Sequence, residues 1–166
     1  LDQSFAREFH ASKNKTALLV HSIMPGILFL SLIGGSIFYL NPSIISFSLF
    51  EIYSTQISAF IFFTIIFEFF NRFLTLQMRM YEDAYMYALS QIFPRVAFLS
   101  LLIIFFAIFK FERNIFFLSL VYMLSVFSTL LFVLKESLIY FNKPLSSIDT
   151  NLLKKLFKFG APLIFS

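Results

Sequence analysis

The sequence predicts an all-α integral membrane protein built as a polytopic helix bundle, and three observations carry that prediction. Hydrophobic residues make up 59% of the 166 and charged residues only 13%, with a mean hydropathy of +0.85, so too little polar surface remains to coat a water-soluble globule. Apolar runs long enough to cross a bilayer alternate with short polar links. The basic residues follow the same alternation. Eleven of the thirteen Lys and Arg fall in residues 1–15, 71–95 and 135–158, whereas the intervening links hold only Lys110 and Arg113. That asymmetry is a positive-inside signal and places residues 1–15, 71–95 and 142–154 on the cytoplasmic side.

Leu1–Lys15 reads as a short amphipathic cytoplasmic helix, since Leu1, Phe5 and Phe9 recur at a spacing of four while Asp2, Arg7 and Glu8 occupy other faces. Residues 16–40 form the first expected span. Its length, roughly 37 Å at about 1.5 Å per residue, crosses a hydrocarbon core of about 30 Å with tilt. Pro25 is expected to kink it, as packing or as a gating hinge, and Gly34-Gly35 to let a neighbouring helix approach closely. Asn41-Pro42 signals a turn, opening an outward link that carries no basic residue.

The second span is expected over residues 52–70, with Glu68 near its inner end and Arg72 one turn later on the same face. Asn71–Arg95 is the most charged internal stretch and reads as a polar hinge between two apolar halves, folded as a helix at the membrane surface. One stripe of it carries Leu74, Met78, Tyr81, Tyr85 and Ala88, and the opposite one Arg79, Glu82, Asp83, Met86 and Ser90. Arg79 can pair with Asp83, and Pro94 suits the first turn of the next span. The third and fourth spans are expected over residues 92–109 and 115–140, an antiparallel hairpin joined by the link 110–114. A cytoplasmic loop and the start of a further span occupy residues 142–166. The chain is expected to be an internal piece of a larger transporter. Its 27 Phe fit lipid-facing helices better than an aromatic ligand cage.

Several chemistries are excluded by composition. There is no Cys, and the two histidines, His10 and His21, cannot form a cluster, so no metal site or other cofactor is expected. Nothing matches the phosphate-cradling G-x-x-x-x-G-K-[ST] pattern. The net charge of +4 is scattered between apolar runs and forms no continuous patch, so nucleic acid is not expected as a partner.

Three segments carry a family resemblance. Leu1–Ala11, LDQSFAREFHA, resembles the LDQ-x-F/Y-x-RE-Y/F segment after the second span of O-antigen and polysaccharide flippases, a branch of the multidrug/oligosaccharidyl-lipid/polysaccharide exporter superfamily. Arg79–Arg95 is similar to their loop between spans four and five, and Leu153–Pro162, LKKLFKFGAP, to the LLKFGLP start of their seventh span, with Ala161 in place of the usual Leu. Order and spacing agree along the whole chain, which would then be spans three to six and the edge of the seventh.

The resemblance implies a two-lobe transporter fold working by alternating access in the bacterial cytoplasmic membrane. The implied substrate is an oligosaccharide repeat unit of O-antigen, capsule or exopolysaccharide on an undecaprenyl pyrophosphate carrier. The implied partners are the lipid bilayer, that lipid-linked oligosaccharide and other surface-polysaccharide assembly proteins. No enzymatic activity is expected. A cation-coupled multidrug antiporter of the same superfamily is the alternative, with a glycan-polymerising membrane enzyme a more distant one, because that chemistry calls for a large external loop and both external links are short.

A pyrophosphate needs cations that accept bidentate geometry, which Arg supplies better than Lys. Arg7 and Arg79 are therefore the candidate substrate contacts, with positive-inside anchoring or pairing to Glu8 and Asp83 as the competing role. Asp2 and Glu8 belong to the same candidate set, or else hold the amphipathic helix in register. Glu68 is the most embedded charge, either an ion-coupling site or the structural partner of Arg72. His21 can titrate near neutral pH or serve as a hydrogen-bonded packing residue.

Overall fold

The computed structural model describes residues 5, 6, 9, 10, 15–108 and 114–138, nearly all of them helical and none in a strand. Among the described residues five helices follow one another: α1 Lys15–Leu40, α2 Ile44–Phe50, α3 Thr55–Met80, α4 Ala84–Ile103, which runs on into a π-helical turn Ile104–Ile108, and α5 Ile115–Ser137. Four of them, all but the short α2, are long and apolar enough to cross a membrane, so the chain folds as a multi-pass membrane helix bundle.

Two starts agree with the sequence reading, that of α1 within one residue and that of α5 at Ile115. Asn114 caps α5 by accepting a hydrogen bond from the Phe117 N–H at 3.0 Å. α1 continues through Pro25 to Leu40. The turn after it is made by Asn41, whose side-chain oxygen accepts from the Ser43 N–H and hydroxyl at 3.2 and 3.1 Å. The outward link expected after that turn is itself partly helical, as α2.

The largest departure is at the hinge. α3 does not end at Phe70 but runs unbroken to Met80, and only Tyr81–Asp83 form a turn, with Glu82 in the left-handed region at φ 60°. Asp83 caps α4 through its carboxylate, which accepts from the Met86 N–H at 3.0 Å, and Pro94 lies inside α4 rather than in its first turn. The expected surface helix is thus the end of one long helix and the start of the next. Charge marks where the lipid ends, whereas backbone continuity is governed by local propensity and packing, and Asn71–Met80 contains no residue that stops a helix. The 26 residues of α3 span about 39 Å, more than a hydrocarbon core of about 30 Å needs.

Packing follows from small-against-large pairs. Gly26 and Gly34 of α1 lie against the rings of Phe69 and Phe62 of α3, in antiparallel register, and a Cβ at either glycine would collide with that ring. Gly35 faces open space, so of the Gly34-Gly35 pair only Gly34 makes the close approach. α5 lies parallel to α3, as Phe60–Phe116 and Phe67–Phe127 show with ring centroids 5.4 and 5.2 Å apart. It lies antiparallel to α4, with Phe93 stacked on Phe132 at 4.6 Å and Phe98 edge-on to Tyr122 at 5.8 Å.

The core gathers between α1, α3 and α5, near the C-terminal end of α3, around Leu18, Leu19, Phe73, Leu74, Met78 and Val133. Phe5 and Phe9 join it fully buried, edge-on to Phe73 at 6.4 Å and to Tyr81 at 5.1 Å. Lys15 closes this corner, its Nζ 4.5 Å from the Phe9 ring centre and 4.7 Å from that of Tyr81. Burial pushes the Tyr81 phenol above its usual pKa, so the ring facing Lys15 is neutral. His21 is buried and its Nδ1 is 2.6 Å from the Ala17 carbonyl, the geometry of a packing residue.

Candidate functional site

A polar cleft of about 780 Å³ opens between α3, α4 and α5, with Leu30 of α1 at its margin. Helical spacing explains its wall on α3. Glu68, Arg72, Thr75 and Arg79 recur at intervals of three or four and therefore share one face. α4 contributes Tyr87, Gln91 and Arg95 at intervals of four, and α5 contributes Tyr122, Ser125 and Thr129. Three guanidinium groups thus face the cleft against one carboxylate, so its formal charge is positive. Charged side chains in a membrane bundle are costly unless they line a wet or polar cavity, and this cleft supplies one.

The carboxylate is held. Tyr122 of α5 donates its hydroxyl to Glu68 Oε1 at 2.7 Å, joining two parallel helices across 54 residues of sequence. Glu68 was expected near the inner end of its span, but the longer α3 puts it at the helix midpoint. One turn on, Asn71 donates its Nδ2 to the Val126 carbonyl at 3.3 Å, while its buried Oδ1 has no hydrogen-bond partner among the described residues. The hydroxyls of Ser90, Ser125 and Thr129 are turned back onto carbonyls of their own helices at 2.7, 2.7 and 2.8 Å. The arginines line the same cleft, with Gln91 and Tyr87 beside them.

Of the residues singled out from sequence, Glu68, Arg72 and Arg79 come together here. Arg7, Asp2 and Glu8 lie outside the described residues. The turn at Tyr81–Asp83 ends the helix that would have carried Asp83 round to Arg79, and Asp83 serves as the cap of α4. Sequence reasoning missed Arg95, Gln91 and Tyr122 as members of the site. The signal for the first two was present, because Tyr87, Gln91, Arg95 and Phe98 form a helical face that is visible once Ala84 is taken as a helix start. Tyr122 carried no such signal.

The chain was compared with family models, curated proteins and solved structures. None matches. Any functional reading therefore rests on the cleft and on the sequence motifs.

Proposed function

We propose that this chain contributes to a flippase that carries lipid-linked oligosaccharide across the bacterial cytoplasmic membrane, within a two-lobe transporter of the multidrug/oligosaccharidyl-lipid/polysaccharide exporter type. The observation that supports it is the cationic cleft, in which Arg72, Arg79 and Arg95 surround one volume reached from three spans. Guanidinium groups match phosphate oxygens in bidentate geometry. At about 780 Å³ the cleft lies within the range of about 300–1,000 Å³ common for ligand sites, enough for a pyrophosphate and its first sugar. The sequence motifs that resemble polysaccharide flippases point to the same substrate class.

Complementation tests this reading. The full-length gene is restored to a strain lacking its surface-glycan flippase, and surface glycan is quantified at matched membrane levels. Wild type restores glycan, Arg79→Ala and Arg95→Ala each lower it by about tenfold, and Arg95→Lys retains part of it, because Lys keeps the charge but loses the fork. Wild type that inserts correctly but restores nothing across a panel of glycan backgrounds would overturn the proposal, and cation-driven drug efflux would then be the activity to measure.

A further inference from the structure

Next to the polar cleft lies a second cavity of about 440 Å³, and the two share the wall residues Ile65, Glu68, Phe98 and Tyr122. The second cavity is nearly apolar. Ile61, Ile115 and Leu118 line it, and its two hydroxyl residues present no free polar group: Thr64 donates to the Phe60 carbonyl and Ser119 to the Phe116 carbonyl, each at 2.8 Å. Only the shared Glu68–Tyr122 pair is polar on that side.

We propose that the two cavities form one site for an amphipathic anion, with the phosphates against the arginines and the isoprenoid units next to them in the apolar cavity. The inference rests on the flippase reading for its ligand class, and it adds where the chain goes. The order of charges along α3 sets the polarity of the site. Arg72 and Arg79 lie about 6 Å and about 16 Å along the axis from Glu68, on the side away from the apolar cavity. A carboxylate at the boundary repels an anion, and the hydrogen bond it accepts from the Tyr122 hydroxyl offsets part of the cost of hydrocarbon beside it, so charge stops at Glu68 and chain passes it. The occupant is a prenyl chain joined directly to its phosphates, because the two cavities adjoin, with Ile65, Glu68, Phe98 and Tyr122 lining both. A diacyl phospholipid carries a glycerol and two chains at that position.

The test uses the full-length protein in nanodiscs, with farnesyl pyrophosphate and inorganic pyrophosphate as probes and phosphatidylglycerol as competitor. Farnesyl pyrophosphate binds more tightly than pyrophosphate in wild type. Leu118→Trp, which fills the apolar cavity, reduces that advantage by about tenfold and leaves pyrophosphate affinity within about twofold. Arg79→Ala weakens both probes. A farnesyl analogue with a photoreactive diazirine on its first isoprene unit labels Ile61 or Leu118 in the wild-type protein, a readout independent of any folding defect in the variant.

An unchanged advantage in Leu118→Trp, or labelling confined to bilayer lipid, would place the chain in the bilayer and overturn the inference while leaving the flippase reading intact. Equal displacement of the probe by phosphatidylglycerol would overturn the isoprenoid assignment. Failure of pyrophosphate to bind, with Arg79→Ala silent, would remove the flippase reading itself.

Discussion

The serine-rich corner before and at the start of α3 and the arginine cleft along its second half are both polar insertions in an apolar chain, yet their polar groups are used in opposite ways. In the corner, the Ser46 N–H donates to Ser58 Oγ at 2.9 Å. The Ser46 hydroxyl lies 2.9 Å from each of the Ser43 and Ser54 carbonyls and accepts from the Ser54 N–H at 3.0 Å. Ser46 and Ser58 are fully buried, and the corner's side chains are consumed in binding α2 to the start of α3. In the cleft the small hydroxyls are likewise consumed, but three arginines line a cavity. Polarity satisfied by the backbone builds a fold, whereas charge lining a cavity is placed where a ligand can meet it.

The comparison can be broken most sharply with the double variant Arg79→Ala/Arg95→Ala. We expect glycan transport to fall by about a hundredfold, with the melting temperature of the purified protein nearly unchanged, since exposed side chains away from packing contribute within about 0.5 kcal/mol. A collapse of thermal stability instead would make the arginines structural. Ser46→Val is the opposite case: it leaves the Ser54 N–H without its side-chain acceptor, costing roughly 2 kcal/mol or more, while transport per folded molecule stays at the wild-type level. Chemical or thermal unfolding in detergent, set beside transport normalised to folded protein, reads both quantities.

Gly34→Leu drives a side chain into the Phe62 ring and should destabilise by about 1–3 kcal/mol. Gly35→Leu, next to it but facing open space, should change the melting temperature little, and equal losses at the two sites would mean that the α1–α3 contact is not where the structure puts it. The smallest effect sharpens the comparison from within α3. Gln77 is 1% exposed, neither polar atom of its amide has a hydrogen-bond partner among the described residues, and its helical position is opposite Glu68 and Arg72. Gln77→Leu should therefore stabilise by about 1 kcal/mol with no change in transport. A loss of transport would show that the buried amide has a role that the cleft does not account for.

What was legible in the sequence depended on whether the information was local. The apolar runs from Thr16 and from Ile115 are local signals, and α1 begins within one residue of the first and α5 at the second. The stripe Leu74, Met78, Tyr81, Tyr85 and Ala88 was right only for its first part: Leu74 and Met78 are buried, but Tyr85 is 69% exposed, because the turn at Tyr81–Asp83 resets the helical phase. Asp83, three residues before the backbone N–H it accepts from, was the available cue for that reset.

The sequence by itself determined four apolar helices long enough to cross a membrane, because hydropathy adds up along a chain whatever its fold. It also put Glu68 and Arg72 one turn apart on one face, since helical spacing is local, and the unbroken α3 added Arg79 to that face. Only the tertiary structure decided that this face meets Arg95 and Tyr122 around a cavity. Residues 68 and 122 touch because two helices pack in parallel through the rings between them, and that packing is a property of surfaces in contact, which no window of sequence contains.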